Sequence, residues 1–148
     1  MRIVFQKEID AKIIPVSPKP VWKCMSCPNY GKSPSCPPNA PDWRSFKELL
    51  EHYKKALLFK FAIEGKFDEE KRKIQEFLLE KEKEFVKSGY TFALALFPGN
   101  CNLCNSCENP CKKPEKKRFS LSALGIELGK LIELDPNESS LYALILLE

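Results

Sequence analysis

Apolar residues recur along this chain in helical and strand rhythms, separated by two long stretches with no rhythm at all. Arg2 to Phe5 reads as a first strand. Trp43, Phe46, Leu49, Leu50 and Tyr53 fall at helical spacing. Either Asp42 caps that helix or Pro41 occupies its first turn. Ala56 to Ile63 reads as a strand, and Gly65 punctuates. Asp68 caps a long charged helix whose apolar face is Ile74, Phe77, Leu78 and Phe85, and Gly89 ends it. Thr91 to Phe97 is almost continuously apolar, the pattern of a strand buried on both faces. A third helix is expected from about Ser120 to Leu134, with Leu121, Leu124, Leu128, Leu131 and Ile132 as its buried stripe. Gly125 and Gly129, four apart, fit close packing of that helix. Leu141 to Leu147 reads as the last strand.

This alternation of strands and helices predicts an α/β fold. The expected form is a small three-layer domain with a mostly parallel sheet, about three helices and parallel crossovers. It also predicts where the two rhythmless stretches meet. Cys36 comes just before the helix that starts at Asp42, and Cys101 just after the strand that ends at Phe97. In a parallel sheet both positions lie at the carboxyl edge, where such folds place their sites. The N-terminus of the third helix would point there too and favour an anion.

The stretches themselves carry the chemistry. Eight of the twelve prolines lie between Pro15 and Pro41, so this region is expected to hold no helix and to form a rigid, irregular loop. It contains Cys24, Cys27 and Cys36, spaced C-x2-C-x8-C. The second stretch, residues 98–118, contains Cys101, Cys104, Cys107 and Cys111, spaced C-x2-C-x2-C-x3-C. That is the run with which bacterial ferredoxins hold 4Fe-4S clusters, except that Lys112 stands where proline is expected and Pro114 comes two residues later. One short loop curls around a cube and offers three thiolates to three irons. The fourth cysteine comes too soon to reach the fourth corner, and in the ferredoxin pattern it serves another cluster.

Seven ligands then divide in one of three ways. The preferred division puts Cys24, Cys27, Cys36 and Cys111 on one cluster, and Cys101, Cys104 and Cys107 on a second whose fourth iron is open. The rival keeps all four C-terminal cysteines together and leaves a three-cysteine N-terminal site. The third is a single cluster with spare thiols. Zinc is the alternative metal: two C-x2-C pairs suit a tetrahedral structural site, but zinc does not explain three cysteines in a row.

The remaining composition narrows the setting. The chain has 148 residues and 43 % hydrophobic content, enough for one domain, 1–148, with a core of its own. Seven cysteines is an odd count, which argues against a closed disulfide framework and for metal in a reducing cytoplasm. No apolar run has membrane-spanning length, and Met1 to Ile14 lacks the apolar stretch of a signal peptide. The net charge of +4 is modest and does not imply nucleic acid. Lys112, Lys113, Lys116, Lys117 and Arg118 follow the last cysteine, and read either as a solvated loop or as a docking patch for an acidic redox partner. His52 reads as a surface histidine rather than a ligand. No Ser-His-Asp set, phosphate loop or dinucleotide fingerprint is present.

Four blocks together carry a resemblance: Cys-Met-Ser-Cys-Pro-Asn-Tyr-Gly, Ser-Cys-Pro-Pro-Asn-Ala-Pro, Phe-Pro-Gly-Asn-Cys-Asn-Leu-Cys-Asn-Ser-Cys and Arg-Phe-Ser-Leu-Ser-Ala-Leu-Gly-Ile-Glu. With these, the chain from about Cys24 to Leu147 resembles an uncharacterised family of small, cysteine-rich, predicted metal-binding proteins from anaerobic archaea and bacteria. The resemblance implies metal binding at all seven cysteines and no particular reaction. The function expected is that of a 4Fe-4S protein that carries or delivers electrons. The alternatives are an enzyme or sulfur-handling protein with an open-site cluster, and a zinc-stabilised interaction module.

Overall fold

Most of the apolar rhythm becomes structure where the sequence places it. The computed structural model describes residues 1–148. Its strands are β1 (Arg2–Asp10), β2 (Lys55–Ala62), β3 (Leu94–Leu96) and β4 (Ser140–Leu147), and its α-helices are α1 (Lys19–Cys24), α2 (Trp43–Leu50) and α3 (Phe67–Lys87). Asp42 caps α2, its carboxylate accepting the Arg44 N–H at 3.1 Å. α3 begins just before Asp68, and Asp68, Glu69 and Glu70 complement the positive end of its dipole.

The sheet runs in the order β1-β2-β4-β3, and every neighbouring pair is antiparallel. The mostly parallel sheet expected from the sequence is therefore wrong. Alternating strands and helices fix the order of elements along the chain but not which strands become neighbours. β2 and β3, joined by α3, do run in the same direction, because each is antiparallel to β4. β4 simply enters between them. The ends of β2 and β3 thus still share one edge of the sheet, together with the starts of β1 and β4.

The two central strands explain their own composition. Leu58 of β2 and Leu144 and Leu146 of β4 face one side. Leu57, Phe59, Phe61, Ala143, Ile145 and Leu147 face the other, where Ile74 and Leu78 of α3 cover them. Phe59 and Phe61 stack at 5.7 Å, and Phe77 meets both edge-on. Each such buried side chain contributes about 1.5–3 kcal/mol. The doubly covered strands are therefore β2 and β4, whereas only three residues of the apolar 91–97 run form a strand.

The third helix does not form. Ser122–Leu124 and Leu128–Lys130 are single 3-10 turns. Gly125 closes the first in the left-handed region (φ +85°), and a side chain there would collide with the Ser17 carbonyl and with Trp43. Its backbone bonds go sideways instead: Ser17 N–H donates to the Gly125 carbonyl and Glu127 N–H to that of Pro15, both at 2.9 Å. Part of the stripe is still buried: Leu121 and Leu124 join Ile126 and, from α2, Phe46 and Leu50 over the second face of the sheet, while Leu128, Leu131 and Ile132 are half-buried against them. With the helix goes the dipole expected to point at the cysteines. The 15–41 region, conversely, does contain a helix, α1, which tolerates Pro20 because it sits in the first turn.

Candidate metal centre

The seven cysteines occupy two loops at the sheet edge where β3 ends. Cys24 is the last residue of α1. The chain then descends in successive turns, with the Cys27 N–H bonded to the Cys24 carbonyl at 3.0 Å and the Tyr30 N–H to that of Cys27 at 3.1 Å. Cys36 is buried, within the buried run 33–37, while Cys27 is exposed. Ser33 and Ser35 join their hydroxyls at 2.9 Å.

The second loop leaves β3 through Pro98, Gly99 and Asn100, and α3 holds it. Gln75, fully buried, donates to the Asn100 carbonyl at 2.9 Å and accepts the Asn102 N–H at 2.7 Å, so it straddles Cys101. Arg72 Nε donates to the Asn102 carbonyl at 2.8 Å. Lys71, 5 % exposed, donates to Asn100 Oδ1 at 2.6 Å. Gly99 makes room for that lysine: a side chain there would begin 3.0 Å from Lys71 Nζ, and its φ is +79°. The sequence reading missed Lys71, Arg72 and Gln75. A signal for two of them existed, because Lys71 and Gln75 lie four apart beside Ile74 and Leu78, polar residues on the buried side of a helix.

The two loops touch. The Cys101 N–H donates to Ser35 Oγ at 3.0 Å, and the Ser120 N–H reaches the Ser35 carbonyl at 3.4 Å. The cysteine-rich loops therefore adjoin at one sheet edge, but not for the reason expected, since the argument from parallel strands fails in this antiparallel sheet.

The electrostatics group the thiols. Burial pushes the Cys24 thiol up, and the neighbouring Cys36 and Cys27 push it further. Burial also raises Cys36, against the lowering effect of hydrogen bonds from Ser33 and Ser35. Cys101 is raised by burial and then, against a backbone hydrogen bond at Leu103, by Cys107, Cys104 and Cys111. Cys107 is raised by burial, then by Cys111, Cys104 and, across the loops, Cys36. Cys111 thus acts on Cys101 and Cys107 of its own loop. Burial lowers the Lys71 ammonium, while Asp68, Cys36, Cys101 and Cys27 raise it.

All seven thiols are free. No three His, Cys, Asp or Glu side chains are gathered tightly enough to hold one metal ion. The donor chemistry fits a metal nonetheless: seven free thiols, soft sulfur donors, in two touching segments, beside a buried ammonium whose one hydrogen bond goes to an amide. His52 is exposed in the turn after α2. Arg118 is engaged in a two-pronged ion pair with Glu82, at 2.6 and 2.9 Å, and Glu82 also accepts the Ala95 N–H at 2.7 Å. Lys112, Lys113 and Lys116 are exposed.

An antiparallel α/β domain that presents two adjoining groups of thiols has the make-up of a metal-binding protein. The chain belongs to the family described as predicted metal-binding protein (DUF2284), whose model matches residues 7–138. No curated protein and no solved structure matches it. No helix is long and apolar enough to cross a membrane.

Proposed function

We propose that this protein binds one or two 4Fe-4S clusters through Cys24, Cys27, Cys36, Cys101, Cys104, Cys107 and Cys111, and carries or delivers electrons in a reducing cytoplasm. The observation that carries this reading is the bond between Ser35 and Cys101. It sets a ferredoxin-type run of cysteines directly beside a second, three-cysteine group. Zinc accounts for cysteine pairs but not for three evenly spaced cysteines in a set of seven. The spacing assigns Cys111 either to the cluster of Cys24, Cys27 and Cys36, the preferred division, or to that of Cys101, Cys104 and Cys107, the rival that leaves the N-terminal group with three thiols. Exposed Cys27 and Cys107 would keep a cluster near the surface, within reach of a partner. An acidic redox partner suits Lys112, Lys113, Lys116 and Lys117, while Arg118 is occupied by Glu82.

Iron and sulfide quantitation on protein made and purified without oxygen tests the reading. The expected protein is brown, contains iron and sulfide in comparable amounts, and bleaches in air. Colourless protein with stoichiometric zinc, from cells supplied with both metals, would refute it and leave the zinc-stabilised interaction module.

One observation supports a second reading, an enzyme or sulfur-handling protein. A cleft of about 650 Å³ borders Cys24 and Cys27 and is lined by Lys23, Ser122, Leu128 and Lys130. A three-cysteine N-terminal group would leave one iron without a thiolate beside this cleft, as a Lewis acid. A small added ligand that shifts the spectrum of that cluster alone would favour this reading over a plain carrier.

A further inference from the structure

Lys71 stands out among the charged side chains of α3. It is 5 % exposed, and its ammonium makes one hydrogen bond, to the neutral amide of Asn100 at 2.6 Å. Glu70 and Glu82, also buried, pair with the N-terminal ammonium and with Arg118. Lys71 has no carboxylate in ion-pairing reach; Asp68 acts on it from farther off and the Phe67 ring lies 5.9 Å from its ammonium, so its buried charge is only partly offset, which is costly. Its ammonium lies against the turn at Gly99, whose φ of +79° favours glycine. After Asp68, the groups that act most on its charge are Cys36, Cys101 and Cys27, members of both thiol groups.

We propose that Lys71 is the buried counter-ion of the metal centre, its ammonium neutralising charge on metal-bound thiolates of both loops and tuning the reduction potential of what they hold. The assignment rests on the thiolate-ligated centre proposed above. The physical argument is direct. A 4Fe-4S cluster with thiolate ligands is anionic, and one-electron reduction adds a further negative charge. A fixed cation in a low-dielectric pocket stabilises the reduced form more than the oxidised form. It also favours ionised thiols, which metal binding requires. Lys71 is a positioning and tuning residue here, not a ligand.

The test compares Lys71→Met, Lys71→Gln and Lys71→Arg with the unaltered full chain, all purified anaerobically. Gln keeps a donor for Asn100 without the charge, so it separates charge from hydrogen bonding and carries the test if the Met variant does not fold. Iron and sulfide content is measured first, then the midpoint potential. Neutral variants are expected to show at least a tenfold lower ratio of reduced to oxidised cluster at a fixed potential, about 59 mV for a one-electron couple. Lys71→Arg is expected to restore most of the difference. Loss of metal from both neutral variants, with helix and sheet content intact and metal retained in Lys71→Arg, would support the assignment equally. An unchanged potential in folded, fully loaded Lys71→Gln and Lys71→Met would overturn it. If the unaltered protein holds zinc and no iron, the electron-transfer reading fails while Lys71 is still tested. Chelator competition should then show zinc binding at least tenfold weaker in the neutral variants, and equal affinity would overturn the assignment.

Discussion

Replacing Gln75 with alanine should weaken metal binding without unfolding the domain. Gln75 is fully buried in α3, and its amide makes two bonds to the backbone on either side of Cys101: to the Asn100 carbonyl at 2.9 Å and from the Asn102 N–H at 2.7 Å. Alanine removes both. Each such bond contributes about 1 kcal/mol net, and a buried group left unpaired costs about 1–3 kcal/mol. Asn100 and Asn102 are only half-buried, so water can reach the freed groups and the low end applies. The loss is about 2 kcal/mol, and it falls on the order of residues 100–102 rather than on the sheet. Because forming a metal site is coupled to ordering its ligands, that cost appears as a metal dissociation constant raised about 30-fold. Competition with a graded series of chelators measures it, and circular dichroism checks that α3 remains. Glu80→Ala, on the exposed side of the same helix, is the control and should change neither. Metal affinity within twofold of the unaltered protein, in a folded Gln75→Ala variant, would show that α3 does not hold the cysteine loop in its ligating form.

Cys111→Ser should perturb the same spectroscopic signal as Cys24→Ser, Cys27→Ser or Cys36→Ser, because the fourth cysteine of the run comes too soon to reach its own neighbours' cube; if it instead alters the signal lost in Cys101→Ser, the four C-terminal thiols act together and the rival division is correct. Chelating the metal should raise amide hydrogen exchange in residues 15–41 and 98–118 and leave β2 and β4 protected, and equal protection of the loops with and without metal would count against a metal-organised site. Arg118→Ala should destabilise the protein by about 3 kcal/mol, because it leaves the buried Glu82 carboxylate without its cation. Urea unfolding measures that loss, and a change below 1 kcal/mol would mean that the pair acts as an ordinary surface ion pair.

How much of this was legible beforehand depends on the range of the interaction responsible. The capping of α2 by Asp42, the length of α3 and the strand character of residues 55–62 and 140–147 follow from signals within a few residues, and these were read nearly correctly. The helix expected over 120–134 failed for a non-local reason. Gly125 passes so close to Ser17 and Trp43 that a left-handed turn replaces the helix, and only the partner segment reveals that contact. Leu121 and Leu124 of the apolar stripe are buried all the same, because burial needs apolar residues in either conformation.

By itself, the sequence determined the candidate donors: seven thiols, their spacing, and the proline-rich and cysteine-rich stretches that carry them. Spacing along one short loop is a local property, so it needs no fold to be read. Tertiary structure alone decided the rest. It chose antiparallel neighbours for every strand, because strand pairing is settled between segments tens of residues apart. It joined the two loops through Ser35 and Cys101, and it set Lys71 and Gln75 of α3 against the second of them, at Asn100 and Asn102. In sequence these two are ordinary polar residues of a charged helix. They meet the second cysteine loop only because α3 packs on the sheet with that face turned towards the loop that follows β3.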